Sequence, residues 1–404
     1  MSSKNKVSFA YFYFIIFILF FFIELLQNMI SYFNYFDELV SIVALVVLFL
    51  NKKRIINTNE KTFLKKQKIL ISIVLLLGFT SSLFSPYPRT IVQIFIDAFR
   101  TIKVPAIFAF FMFIPTDEQK RTTFKLLKPV VDLFIVFAFI FGIINLTRDI
   151  GMGYDERFGI RTFKFIFNNP ASVVDRSLAV IAIHMGLDQF RTKKYVLILS
   201  LATILMTMRA NGLAAIAILL VGYIILRKDT LHLVDLAPIP IVAGLVGWNS
   251  LNEYLIQSTS LRSLLFRNGI MLGKRFFPLG VGFANYGSDT AHRYYSELYY
   301  ELGYDKVWGL SVFNGQLAND NFWPMTIAQF GFLGALSYLW MLISQLRFLL
   351  NQVSNKKIRL IEITLLLYMM IQSLGAAVFT GVYGAFIYMF IGFLYNRDYS
   401  FYDK

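Results

Sequence analysis

Apolar blocks following one another almost from end to end constrain this chain more than any other feature. A helix needs about 20 residues to cross the ~30 Å hydrocarbon core of a bilayer. Runs of that kind recur at roughly 7–26, 33–50, 69–84, 91–114, 129–147, 171–190, 195–208, 212–226, 231–248, 323–346, 359–380 and 382–395. Backbone inside lipid must satisfy its own hydrogen bonds, which leaves helices or a closed barrel. The alternation of barrel strands is missing, so the expected fold is all-α: a polytopic membrane protein of about 12 transmembrane helices.

Composition agrees. The chain is 57% hydrophobic and 16% charged, against ~45–50% and ~25% in soluble domains. Val7 to Leu26 follows Lys4 and Lys6 as a signal peptide would. No small-residue cleavage site follows, so it reads as an uncleaved first span. The fourth block carries Asp97, Arg100 and Lys103, and its first half either spans or lies along the interface. With no Cys, thiol and disulfide chemistry is excluded.

The net charge of +15 would raise nucleic acid in a soluble protein. Here cytoplasmic loops account for it, and no nucleic-acid partner is expected. With both termini placed in the cytoplasm, inside segments hold 24 of the 39 Lys and Arg, which satisfies the positive-inside rule. The inside set has 17 Lys and 7 Arg; the outside or embedded set has 4 Lys and 11 Arg. Those Arg residues are 89, 100, 148, 157, 161, 176, 209, 262, 267, 275 and 293. Arg grips phosphate oxygens as a rigid fork, whereas Lys is a solvated point charge. Individually the Arg residues read as lipid or acid partners; as a set they suggest an anionic ligand at the outer face.

Soluble mass also falls outside, in loops 148–170 and 249–322. Loops of that length are usually functional. The larger one is expected to hold amphipathic helices at about 260–277 and 291–302, joined by Pro278-Leu279-Gly280-Val281-Gly282. Arg267 and Lys274 would share one helix face, with Arg275 at its end. The glycines read either as a plain turn or as backbone N–H groups open to an anion. Tyr294, Tyr295, Tyr299 and Tyr300 suit either sugar rings or the membrane interface. Asp320, between Asn319 and Asn321, reads either as an N-cap for the next span or as a carboxylate able to take a proton from a sugar hydroxyl.

Other chemistry is poorly represented. His184, His232 and His292 fall in different parts of the expected topology, so no metal site is expected. The phosphate-loop lysine motif and a dinucleotide-binding context are both missing, and no cofactor is expected.

Four segments resemble the family of O-antigen and capsular polysaccharide polymerases (Wzy-type) and O-antigen ligases, over about 155–340. They are Asn168-Asn169-Pro170-Ala171, Met208-Arg209-Ala210-Asn211-Gly212, Arg267-Asn268-Gly269 with Phe277-Pro278-Leu279-Gly280-Val281-Gly282, and Asp320-Asn321 followed by Gly331 and Gly334. The last fits a family His motif with Asp in the His position; a partial match from His292 is broken by Arg293 and Lys306. The resemblance implies a GT-C-type glycosyltransferase of the cytoplasmic membrane, working at its outer face without metal. Its donor and acceptor would be oligosaccharides on undecaprenyl pyrophosphate, with membrane lipids and a chain-length regulator as further partners. It puts Arg267 and Arg209 on the leaving pyrophosphate, with Asp320 as base. Arg161, Arg176, Lys274, Arg275, His292, Tyr295 and Asn321 are expected around the substrates. Asp37 and Glu38 in the first outer loop are alternative bases. Asp in place of His favours a polymerase; a ligase and a lipid-linked oligosaccharide flippase are the alternatives.

Overall fold

The structure, a computed structural model, describes residues 3–51, 58–157, 159–187, 194–225, 260–315, 317–351 and 355–395, with positions 238, 248 and 252. The expected span at 231–248 and His232 lie outside the described residues except for two isolated positions of that span. Helices occupy the positions of the other expected spans: α1 (Ser3–Phe21), α2 (Ile23–Met29), α3 (Phe36–Leu50), α4 (Thr58–Phe84), α5 (Ile91–Phe113), α6 (Asp117–Thr147), α7 (Pro170–Gly186), α8 (Lys194–Met206) and α9 (Ala210–Ile225). Residues 260–315 then contribute α10 (Leu261–Arg275), α11 (Asp289–Arg293) and α12 (Glu297–Glu301). The chain continues through α13 (Phe322–Leu350), α14 (Lys356–Gln372) and α15 (Val382–Leu394).

Local sequence sets several of these boundaries. Thr90 and Gln93 form a capping box at the start of α5, and Thr116 and Gln119 form another at α6. Both satisfy N–H groups that a helix start leaves orphaned. Asn169 caps α7 through Ser172 N–H, with Pro170 preorganising the first turn.

Among the described residues, four segments are long and apolar enough to cross a membrane: Ser31–Leu50, Asn59–Phe84, Asp117–Thr147 and Phe322–Leu350. Phe9–Phe21 and Ile23–Met29 make a fifth only as a broken pair, bent by 70°. Several other helices are apolar but short, α8 and α15 having 13 residues each. The long helices turn apolar side chains outward: Leu76 and Leu83 on α4 are 67% and 82% exposed. Such flanks call for an apolar surround.

α4 packs along α13, α5 along α15 and α3, and α14 along α9. Most helices share one core, which includes Phe17, Phe111, Leu178 and Phe390. The α10–α12 segment has a separate core built from Leu265, Leu272, Tyr286, Tyr299 and Tyr304.

Two expectations need correction. Loop 148–170 contains an antiparallel hairpin, β1 (Gly153–Arg157) with β2 (Ile160–Phe163), where no strand was expected. The second outer helix, expected over 291–302, is two one-turn pieces, because Tyr295 takes φ +27° between them. The first half of α5 is part of one continuous helix, with Asp97, Arg100 and Lys103 buried within it.

Candidate functional site

α10 is held by small residues on one face. A side-chain carbon at Gly269 would come within 2.7 Å of Pro324, and one at Gly273 within 2.6 Å of Ile327. This close approach seats α10 on the start of α13. Arg267, Ile270, Met271 and Lys274 line an open depression of about 340 Å³. The two cations flank two exposed apolar side chains, so the surface can meet an anion and a hydrocarbon together. Arg275, next in sequence, pairs with Glu301, whose carboxyl that contact holds below its usual range.

Beyond α10, the glycine segment does not form an open anion nest. Gly280 N–H donates to the Ser81 hydroxyl (3.0 Å), Val281 N–H to Ala328 C=O (2.7 Å) and Gly282 N–H to Gln329 C=O (3.1 Å). Phe283 N–H donates to Ser82. The reading of these N–H groups as free for a ligand is therefore overturned. They fill a break in α13, where Gly331 takes φ +68° and ψ 179°. A side-chain carbon at Gly331 would lie 2.7 Å from Pro278 C=O. The glycines at 280 and 331 thus serve one joint: two backbones approach too closely for side chains.

Asp320 does not cap α13. Asn321 occupies the cap position without a side-chain cap bond. Asp320 Oδ2 instead accepts from Arg262 Nη2 at 3.1 Å. Burial pushes its carboxyl above the ordinary value, and Arg262 only partly opposes this. A carboxylate whose pKa is raised is a stronger base than an ordinary one. Asn321 Nδ2 donates to Arg262 C=O (3.1 Å), which ties both Asp320 and Asn321 to the first turn of α10.

The expected tyrosine platform divides. Tyr299 is part of the core of the α10–α12 segment, its hydroxyl accepting from Gly287 N–H at 2.9 Å. Tyr294 and Tyr300 face outward, and Tyr295 lies between the two sets, burial raising its phenol to about 12. His292 packs against Gly315, and its Nε2 has no hydrogen-bond partner among the described residues.

The remaining residues stand elsewhere. Arg209 lies over the Tyr154 ring at 5.1 Å. Arg161 Nη1 donates to Asn145 C=O at 3.2 Å. Both therefore belong to the hairpin region. Burial works to raise Asp155 in β1, but Thr162, Arg157 and Arg209 outweigh it and its pKa is lowered. Arg176 is wholly enclosed, with Glu24 at 3.3 Å and the rings of Phe167 and Phe386 against its guanidinium. As it stands, it offers no face to a substrate. Of the two alternative bases, Asp37 is buried against Lys103. Glu38 Oε1 lies 3.4 Å from Arg100 and 3.6 Å from Lys103, and its Oε2 has no hydrogen-bond partner among the described residues.

Sequence reasoning gave no role to Gln329 or Asp289 and counted Arg262 only as one of the eleven outer or embedded Arg residues. The available signal was the spacing of Asp97, Arg100 and Lys103, which puts three charges near one face of a helix. No family model and no curated protein matches the chain.

Proposed function

We propose that the protein is a polysaccharide polymerase of the cytoplasmic membrane, a GT-C-type glycosyltransferase with about 12 spans and both termini inside. The observation that carries this reading is the outward face of α10: Arg267 and Lys274 flank Ile270 and Met271 at an open depression. A pyrophosphate joined to a polyprenyl chain has the same two characters. On this reading, an acceptor hydroxyl attacks the anomeric carbon of the donor glycan. The carbon–oxygen bond to pyrophosphate breaks, and the acceptor proton passes to Asp320. Charge growing on the leaving pyrophosphate is met by Arg267 and Lys274; one well-placed donor of this kind contributes about 3–4 kcal/mol. Arg209 and the hairpin would hold sugar further out.

Glu38 is the second candidate base, favoured over Asp37 by its Oε2. A flippase would need charges lining a path through the helices. The charges on α5 and α7 instead sit in close pairs, Lys103 with Asp37 and Arg176 with Glu24. A ligase would hand finished glycan to another carrier, and the acceptor found in cells separates it from a polymerase.

Cells lacking this gene, complemented with wild type, Arg267→Ala or Asp320→Asn at equal membrane abundance, provide the test. Long glycan chains with wild type and single repeat units on the outer face with both variants are expected. Repeat units trapped on the inner leaflet would sink the enzyme reading. Long chains with Asp320→Asn alone would move the base to Glu38.

A further inference from the structure

Asp97 is buried on α5, and its Oδ2 receives three hydrogen bonds from separate parts of the chain. The donors are Ala284 N–H (2.7 Å), the Ser288 hydroxyl (2.9 Å) and the Gln329 amide (3.0 Å). The surroundings fix the direction of each bond. The Ser288 oxygen already accepts from Ala291 N–H at 3.1 Å, so its hydrogen is available for Asp97. The Gln329 amide also donates to Tyr286 C=O at 2.9 Å, which fixes its nitrogen on this side. Ala284 takes φ +60°, a region that residues with a side-chain carbon seldom enter. Its bond to Asp97 helps to hold it there.

These donors belong to the joint described above. Gln329 is two residues before the break in α13, and its carbonyl accepts from Gly282. Ala284 and Ser288 follow the glycine segment directly. Three residues further along α5, Arg100 reaches Asp289 and Thr290, adding a second anchor to the same stretch. A carboxylate inside a helix bundle is costly, and a buried donor without an acceptor is costly too. One acidic oxygen answers three donors here, which an apolar side chain would leave unmet.

We propose that Asp97 is the positioning residue that seats the α10–α12 segment in the break of α13. The seat fixes both ends of the candidate site, because α10 leads into the glycine segment and Asp320 leads into α13. Its consequence for glycan transfer rests on the polymerase reading; the seating itself does not.

The natural absence of cysteine makes the test clean. Ala291 on α11 and Ala179 on α7 are both fully buried. Each is replaced singly, as Ala291→Cys or Ala179→Cys, and maleimide labelling of the purified full-length protein in detergent is timed. Asp97→Ala and, separately, Gln329→Leu should speed labelling at position 291 by about ten-fold or more and leave position 179 closed. Asp97→Asn keeps a carbonyl acceptor and should open position 291 less than Asp97→Ala. Unchanged labelling at 291 in both Asp97→Ala and Gln329→Leu overturns the proposal. So does joint opening of 291 and 179 in both, because the carboxylate would then hold the whole chain rather than the loop. If Asp97→Ala alone opens both positions, Gln329→Leu decides, since it leaves the carboxylate in place. Glycan profiles of the same variants at equal abundance separate this proposal from the polymerase reading. A released loop with normal long chains would remove the loop from catalysis and leave the seating intact.

Discussion

Arg176 on α7 and Arg267 on α10 are the same residue type in opposite situations. Arg176 is sealed among Glu24, Phe167 and Phe386, with no accessible surface. Arg267 lies on an exposed face beside Lys274 and two apolar side chains. The sequence placed both in one class, outer or embedded cations for an anionic ligand. Surroundings separate them: the Arg176 guanidinium is sealed inside the fold beside Glu24, whereas Arg267 opens onto a depression that a ligand can reach. The first kind bears on stability, the second on activity.

Four substitutions can break or sharpen that contrast. Arg176→Ala leaves Glu24 buried without its cation and should destabilise the protein by about 3–5 kcal/mol, read as loss of membrane abundance and a lower Tm in detergent. Wild-type stability in this variant would dissolve the distinction. Arg267→Ala should do the reverse: about 10²–10³ less glycan transfer, with stability within about 0.5 kcal/mol of wild type. A smaller structural effect is expected for Gly280→Ala, whose new carbon would meet Ala328 C=O at 2.3 Å. Overpacking of that kind costs about 1–3 kcal/mol, and a chemical-denaturation series would show it. Smallest is Glu301→Gln, which removes an exposed partner of Arg275 and should change stability by less than about 1 kcal/mol.

The pH dependence separates the exposed pair from the proposed base. Arg275 holds the Glu301 carboxyl below its ordinary value. The small stabilisation is therefore present above the unfolded-state pKa and lost as pH falls through the folded one. Asp320 is shifted the other way, by burial. As a base it must be ionised, so activity should fall with decreasing pH along a limb lying above the ordinary Asp value of ~3.9. A limb at or below that value would remove Asp320 from the role.

Helix positions were legible because apolar run length is a local signal. So was the α10 face, because Arg267 and Lys274 are seven apart on a real helix. The joint at Gly331 was not, since the break sits inside an apolar run and depends on a segment 50 residues away in sequence. The glycine segment was misread for the same reason: its N–H groups are met by α4 and α13, which no local pattern reveals. Asp97, Arg100 and Lys103 looked like a reason to doubt a helix packed among others. In the fold each has a distant partner, and those partners bring the α10–α12 segment and α3 to α5. The hairpin was missed because spans of 5 and 4 residues carry little periodicity.

The central claim is that the outward face of α10 meets a lipid-linked pyrophosphate. Binding of undecaprenyl pyrophosphate to the purified protein in nanodiscs measures this directly, for wild type, the double variant Arg267→Ala with Lys274→Ala, and Arg275→Ala. The expected result is a Kd weakened by about ten-fold or more in the double variant and little changed in Arg275→Ala. Equal Kd values in all three proteins would contradict the account.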